Sequence, residues 1–305
     1  MAEERSGLDR RIESGKPLLL GEVSPPCGAD PAPLRDSARR YAGKVHALGI
    51  SDNRRGVCMS ALAAASLVAA EGVEPILHVV TRDRNRIALV SDYLGARALG
   101  IGNLLFTSGT HQTLGRFRAA RNVFDLDPVQ LLRTVAGLAG DASIVGEASI
   151  DGAGPACLGA AADPLADPIE MQGLRLAKKV AAGARFVITA PVFDLERFDA
   201  WLEEVRRRGL HEQVAIVAGI RPLGDAAAAA ELAGQRPRPG VPEALLERVV
   251  SQSGPGAQRE AAIEIAVETI GQLSERSGLR GFQICGDADT NAALAIIEKS
   301  GLGTD

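Results

Sequence analysis

The stretch EPILHVVTRDRNRIALVSDYLGARALGIGNLLFTSGTHQ, residues 74–112, decides the fold. It opens on a short, nearly continuous apolar run, PILHVV (75–80), which predicts a strand buried on both faces. A polar break, TRDRNR, follows, and then apolar residues at helical spacing over 84–98. A second apolar run, GNLLF (102–106), stops at Thr107-Ser108-Gly109-Thr110-His111-Gln112. Strand, helix, strand and a small polar loop around a glycine form one parallel unit ending at a binding loop.

The same alternation extends in both directions. Strands are predicted near 18–23, 48–52, 156–161, 185–190, 214–219 and 281–285 as well. Helices are predicted over 31–47, 60–71, 84–98, 127–139, 167–182, 194–208, 224–233, 255–276 and 287–299. Asp287 and Ser253 stand as start signals, Pro255 lies in a first turn, and glycines close several helices. Strand five has a competitor in DASIVGEAS (141–149). Either choice leaves a long connection around 145–165, and long connections commonly carry function. Eight strands each followed by a helix is the arithmetic of a (β/α)8 barrel with extra helices. The open doubly wound sheet would call for a glycine-rich G-x-G-x-x-G turn after strand one, which GEVSPPCGAD is not. The whole chain reads as one barrel domain, with about 15 amino-terminal residues outside ordered structure.

Bulk properties narrow the function. The 305 residues are 46% hydrophobic and 24% charged, with net charge −4, the balance of an ordinary soluble domain. No apolar run reaches the ~18 residues of a membrane span, and the first residues lack the apolar core of a secretory signal. Ten aromatics in a mildly acidic chain argue against nucleic-acid binding. The expected setting is cytoplasmic. Cys27, Cys58, Cys157 and Cys285 are far apart in sequence, without a C-x-x-C pair, and read as reduced thiols, two of them in or near the core. A metal site built from all four is the weaker alternative, and no metal is expected.

Barrel chemistry collects at the carboxyl ends of the strands. Strand one ends in Glu22, a carboxylate inside an apolar run that must either pair with a cation or stay protonated; a surface Glu at a frayed end is the bland alternative. Strand two ends in Asp52-Asn53-Arg54-Arg55. Strand three carries His78 and then Thr81-Arg82-Asp83-Arg84-Asn85-Arg86. That arginine run is an anion clamp, or a solvated helix start capped by Asp83. Strand six ends in Thr189-Ala190-Pro191-Val192-Phe193-Asp194, strand seven in Arg221, and strand eight in Cys285-Gly286-Asp287.

These residues resemble the methylenetetrahydrofolate reductase family. The likeness rests on the opening stretch, on GEVSPP, SDNRRGVCMS and NVFDLDPVQLL, and on GAAADPLADPIEMQGLRLAKKVAAGARFVITAPVFD. It runs from about residue 18 to 250. The resemblance implies a (β/α)8 barrel that carries FAD at its strand ends. It implies reduction of a 5,10-methylene-tetrahydropterin to the 5-methyl form with hydride from NAD(P)H. Glu22 matches the general acid that opens the methylene bridge. His78, Thr81, Arg82, Ser108, Gly109, Thr110, Arg175 and Lys179 are the implied cofactor-binding residues. Thr110, His111, Gln112, Ala190, Phe193 and Arg221 are the implied substrate-binding residues. It also implies a small-molecule pterin partner and homo-oligomeric association of barrels, although no helix shows an apolar stripe that names an interface.

Three departures stand out. Thr110 replaces the family's Asp, Ala190 replaces its Gln, and CGDADTN lacks its late-strand Arg. Two alternatives therefore stay open beside the flavin reductase: direct hydride transfer without flavin, and a non-catalytic pterin-binding or assembly subunit of a methyl-transfer pathway. A related pterin such as tetrahydromethanopterin is a further option for the substrate.

Overall fold

The computed structural model describes residues 5–54, 56–115, 117–138, 150, 154–235, 240–286 and 289–304. Its strands are β1 (Leu18–Val23), β2 (Ala47–Ile50), β3 (Pro75–Val80), β4 (Asn103–Thr107), β5 (Cys157–Ala162), β6 (Phe186–Pro191), β7 (Ala215–Ile220) and β8 (Gly281–Cys285). All pair in parallel with their sequence neighbours, and β8 closes onto β1, giving a closed eight-stranded barrel. Every predicted strand is present within one or two residues of its expected ends. The competing segment 141–149 lies outside the described residues.

The helices are α1 (Gly7–Glu13), α2 (Ala32–Tyr41), α3 (Ala61–Ala70), α4 (Arg86–Ala98), α5 (Pro128–Leu138), α6 (Ile169–Ala181), α7 (Leu195–Arg207), α8 (Ala226–Ala233), α9 (Glu243–Val250), α10 (Gly254–Ser274) and α11 (Thr290–Lys299). Several start on a side-chain cap that satisfies an orphan first-turn N–H. Asn85 accepts from Ala88, Asp194 from Arg197, Asp225 from Ala228, and Asp289 from Asn291 and Ala292. The cap of α4 is thus Asn85 rather than Asp83, and that of α11 is Asp289; Asp287 lies outside the described residues.

Two helices were not anticipated. α9 fills the segment between α8 and α10. α1 overturns the expectation of an unordered amino terminus from Gly7 onward: Ser6 caps it, and its Gly7 and Leu8 N–H groups donate to the Glu74 carboxylate at 2.9 and 2.8 Å. Leu8 is fully buried and plugs the amino-terminal end of the barrel.

Alternating side chains on each strand separate an outer core, under the helices, from the barrel interior. Inside, Leu8, Leu18, Leu20, Ala47, Ile76 and Phe186 belong to one apolar cluster. One step further along the strands the interior changes character. The next inward positions are Glu22 on β1, His78 on β3 and Gln283 on β8, all buried. Apolar packing closes the amino-terminal end of the barrel, and the polar layer lies toward the carboxyl ends of the strands.

Candidate functional site

Glu22 is 4% exposed and accepts on both oxygens. Arg54 Nη1 donates to Oε1 at 2.7 Å, and Gln283 Nε2 donates to Oε2 at 2.6 Å. The first donor comes from the loop after β2, the second from β8, which neighbours β1. The Glu22 oxygens therefore act as acceptors in this arrangement. Arg54, whose side chain is 35% exposed, is the donor with room to leave.

His78 is buried beside Gly49. A Cβ on Gly49 would lie 2.8 Å from His78 Nε2, so the strand-two neighbour has to be glycine for the imidazole to fit. Burial pushes the His78 pKa down, more strongly than the carboxylates of Glu22 and Asp52 push it up, and the ring is neutral. His78 Nε2, Gln283 Oε1 and Thr81 Oγ1 are buried without a hydrogen-bond partner. Buried polar atoms normally have one, so these are the atoms to which a ligand's donors and acceptors can be matched.

The arginine run is held by carboxylates. Arg82 pairs with Asp83 (Nη2 to Oδ2, 2.6 Å) and donates to the carbonyl oxygens of Thr110 at 2.8 Å and Asn53 at 3.4 Å. Arg84 grips both oxygens of Asp52, at 2.6 and 3.0 Å, and pairs with Asp92 at 3.1 Å. Burial opposes the charge on Arg84, but the hydrogen bonds and charge of Asp52 outweigh it and raise its pKa. Arg86 pairs with Asp125 at 2.8 Å. The run's arginines tie the loops after β2, β3 and β4 together through these contacts.

The loop after β4 is built on those contacts. Gly109 takes φ +75°, and a Cβ there would meet Val80 Cγ1 at 2.5 Å, so both backbone and space demand glycine. Ser108 and Thr110 are exposed at the mouth. Gln112 donates to Asp83 at 2.9 Å, and His111 stacks on Phe124 with ring centroids 6.3 Å apart. Gln112 and His111 thus hold the loop to its surroundings through their side chains.

On the far side of the barrel, Lys179 donates to the Ala161 carbonyl at the end of β5 at 2.6 Å. Its burial, followed by the nearby Arg175, lowers the ammonium's pKa. Arg175 sits one turn earlier on α6, exposed, and donates to Gln172. At the end of β6 the Thr189 hydroxyl donates to the Ala190 carbonyl and accepts from Gly219 N–H, where the pairing with β7 shifts register.

Two further expected substrate residues follow β6 and β7. Phe193 packs with Leu223, Leu232, Val249 and Ile265 in a separate cluster between β6, α8, α9 and α10. Arg221 lines a cavity of about 170 Å³ with Asp225, Arg259, Cys285 and Asp289, between the ends of β7 and β8. Residues missed by the sequence reading are Arg54 as Glu22's partner, and Gln283. The signal for Gln283 was present: a polar residue flanked by Phe282 and Ile284 inside an apolar strand.

Cys157 and Cys285 are buried, in separate parts of the barrel, and burial raises the Cys157 thiol's pKa. Cys27 and Cys58 meet, their Sγ atoms 3.6 Å apart. Among the described residues, no group of three or more His, Cys, Asp and Glu side chains could hold a metal ion. No described helix is long and apolar enough to cross a membrane.

The sequence profile of the methylenetetrahydrofolate reductase family matches residues 7–301, nearly the whole chain. The chain belongs to the methylenetetrahydrofolate reductase family. No protein of curated function matches it in sequence. Among solved structures it is similar to an uncharacterized protein from Clostridium thermocellum described as binding two copies of 5-methyl-5,6,7,8-tetrahydrofolic acid. That similarity has a TM-score of 0.66 at 14% identity and covers 97% of this chain and 98% of the other. It is also similar to 2,3-dimethylmalate lyase of the PEP mutase/isocitrate lyase superfamily. There the TM-score is 0.53 at 11% identity, covering 96% and 82% of the two chains. At such identities the likeness speaks to the fold. In this member of the reductase family, the Glu22–His78–Gln283 layer lies toward the carboxyl ends of the strands, below the loops described above.

Proposed function

We propose that this chain reduces a 5,10-methylene-tetrahydropterin to the 5-methyl form with hydride from NAD(P)H, and that Glu22 supplies the proton. The observation that carries the reading is a buried carboxylate at the end of β1, inside the polar layer of a barrel belonging to this family. Opening the methylene bridge to an electrophilic iminium requires a proton on the pterin side. Glu22, once it carries a proton, can deliver it after Arg54 swings off Oε1. Gln283 keeps Oε2 oriented meanwhile. Neutral His78 offers Nε2 as a hydrogen-bond partner without adding charge.

The residues present fit a flavin in part of the site. The unpartnered His78 Nε2 and the Ser108-Gly109 turn suit the ring system, and Lys179 with Arg175 suits the phosphates. Arg82 would contribute through its hold on the Thr110 loop. FAD, when bound, supplies the hydride relay between nicotinamide and pterin.

A second reading is favoured by a specific observation. Both Glu22 oxygens are occupied by N–H donors, and Thr110 and Ala190 offer a pterin little. A subunit that holds a methylated pterin without turnover would have the same features. It is also consistent with the ligand named for the Clostridium thermocellum neighbour.

One experiment separates the readings. The purified protein is scanned for flavin absorbance, and NADH or NADPH oxidation is followed with 5,10-methylenetetrahydrofolate, with product identified chromatographically. Turnover to the 5-methyl product supports the reductase, and the spectrum decides whether flavin takes part. Binding of 5-methyltetrahydrofolate without any turnover moves the assignment to the holding subunit.

A further inference from the structure

The loop after β1 (residues 24–31) and the loop after β2 (residues 51–60) are fastened at three levels. At the base, the hydroxyls of Ser24 and Ser51 are 2.9 Å apart. Higher up, the Met59 N–H donates to the Pro26 carbonyl at 2.8 Å. At the outer edge the Cys27 and Cys58 sulfurs are 3.6 Å apart, Cys27 exposed and Cys58 partly so. The Cys58 N–H donates to Asn53 Oδ1 at 3.1 Å, and Asn53 is held in the left-handed region at φ +47°. Asn53 directly precedes Arg54, the partner of Glu22. Cys58 thus stands on the same short loop as the guanidinium that holds the buried carboxylate, with Cys27 facing it from the loop after β1.

We propose that Cys27 and Cys58 are a reversible dithiol–disulfide site that, when closed, clips these two loops together at the mouth of the barrel. The sulfurs must approach by about 1.5 Å to reach bonding distance, a movement that exposed loop side chains can make. Exposure of Cys27 gives an oxidant access, which the buried Cys157 and Cys285 lack. The co-reactant is a low-molecular-weight disulfide. The Cys27 thiolate attacks one of its sulfurs, breaking the reagent's S–S bond and releasing one thiol. The Cys58 thiolate then attacks Cys27 Sγ, forming the protein S–S bond and expelling the second thiol. The pair loses two electrons, the reagent gains them, and both cysteine protons are balanced by the two thiols released. Closure removes freedom from the loop that carries Arg54.

The test uses the full chain, and its readout is independent of the reaction proposed above. The protein is incubated with oxidised glutathione, remaining thiols are alkylated after denaturation, and peptides are mapped without reduction. The expected result is a Cys27–Cys58 cross-linked peptide that dithiothreitol reverses, with Cys157 and Cys285 alkylated. In C58S, Cys27 should instead retain a glutathione mixed disulfide, because the displacing thiol is gone. A stable mixed disulfide at Cys27 of the unmodified chain, or recovery of both Cys27 and Cys58 as alkylated thiols, overturns the proposal.

Discussion

Arg54 Nη1 lies 2.7 Å from Glu22 Oε1, joining a loop cation to a buried strand carboxylate. Removing one partner of a buried pair is costly, but here one partner reaches solvent and can be replaced by water or ligand. With Arg54 displaced, Gln283 still donates to the other Glu22 oxygen at 2.6 Å. This relation underlies the first prediction. Glu22→Gln keeps the shape and can still accept from Arg54, so pterin binding should stay within a few-fold of the parent. Turnover should fall by ~100-fold or more, the usual weight of a general acid. Steady-state kinetics beside equilibrium binding checks it, and unchanged turnover would remove Glu22 from the chemistry.

His78 yields a pH dependence. Its folded pKa is depressed below the ordinary 6.5 by burial, while the unfolded chain titrates normally. Between the folded value and 6.5 the unfolded state binds more protons, so stability rises with pH there and is lost as pH falls. His46, also lowered by burial, contributes in the same direction. His78→Gln should flatten the dependence of the unfolding midpoint below pH 6.5, leaving the share of His46. An unaltered slope would mean that His78 keeps its ordinary titration in the folded chain.

Gly49 is where the site meets packing. A methyl at this position would sit 2.8 Å from His78 Nε2, with the Gly21 carbonyl at 3.4 Å on another side. Gly49→Ala should cost about 1–3 kcal/mol, the usual range for overpacking a filled interior. It should also displace the imidazole. Denaturant unfolding gives the first quantity, and the His78 ring resonances in an NMR spectrum give the second.

The barrel was legible because parallel strands buried on both faces appear as uninterrupted apolar runs, such as LLLGEV and AIVAG. Glu22 was legible for the same reason, as the one charge in such a run. α1 was not: it has only Leu8 and Ile12 on its apolar side, and it is held by Glu74, which lies 66 residues from Leu8 in sequence. The arginine run's partners were only partly legible: Asp83 adjoins Arg82 and Asp92 lies on the following helix, but Asp52 and Asp125 lie 32 and 39 residues from Arg84 and Arg86 and are joined to them only by the fold. Phe193 looked like a site residue by its place after β6. Only the later helices α8 to α10 supply the cluster that buries it.

Lys179 offers a test of the cofactor. Its ammonium is largely buried at the end of β5 with one carbonyl partner at 2.6 Å, leaving donors for an anion. Lys179→Met preserves the packing of the stem and removes the charge. Retention of FAD should weaken by about tenfold, the worth of roughly 1.4 kcal/mol for one charge-assisted hydrogen bond. Flavin titration followed by fluorescence measures it. Equal retention in both proteins would take Lys179 out of the phosphate site.

Thr110 and Ala190 decide how far the pocket has moved from the family pattern. Thr110 is exposed, and its carbonyl, not its side chain, holds the loop to Arg82 at 2.8 Å. An Asp side chain can therefore be placed there without breaking that contact. Ala190 is similar: its carbonyl accepts from Thr189, and its side chain takes no part in that contact. Thr110→Asp with Ala190→Gln restores a carboxylate and an amide to face a pterin's N–H and amino groups. If the rest of the pocket follows the family pattern, each partner introduced is worth about 1–3 kcal/mol, and tetrahydrofolate affinity should rise at least tenfold. Calorimetric titration of the double variant reads this directly. A fall in affinity instead would mean that the mouth has been reshaped around a different pterin, for which the threonine and alanine are the matching surface.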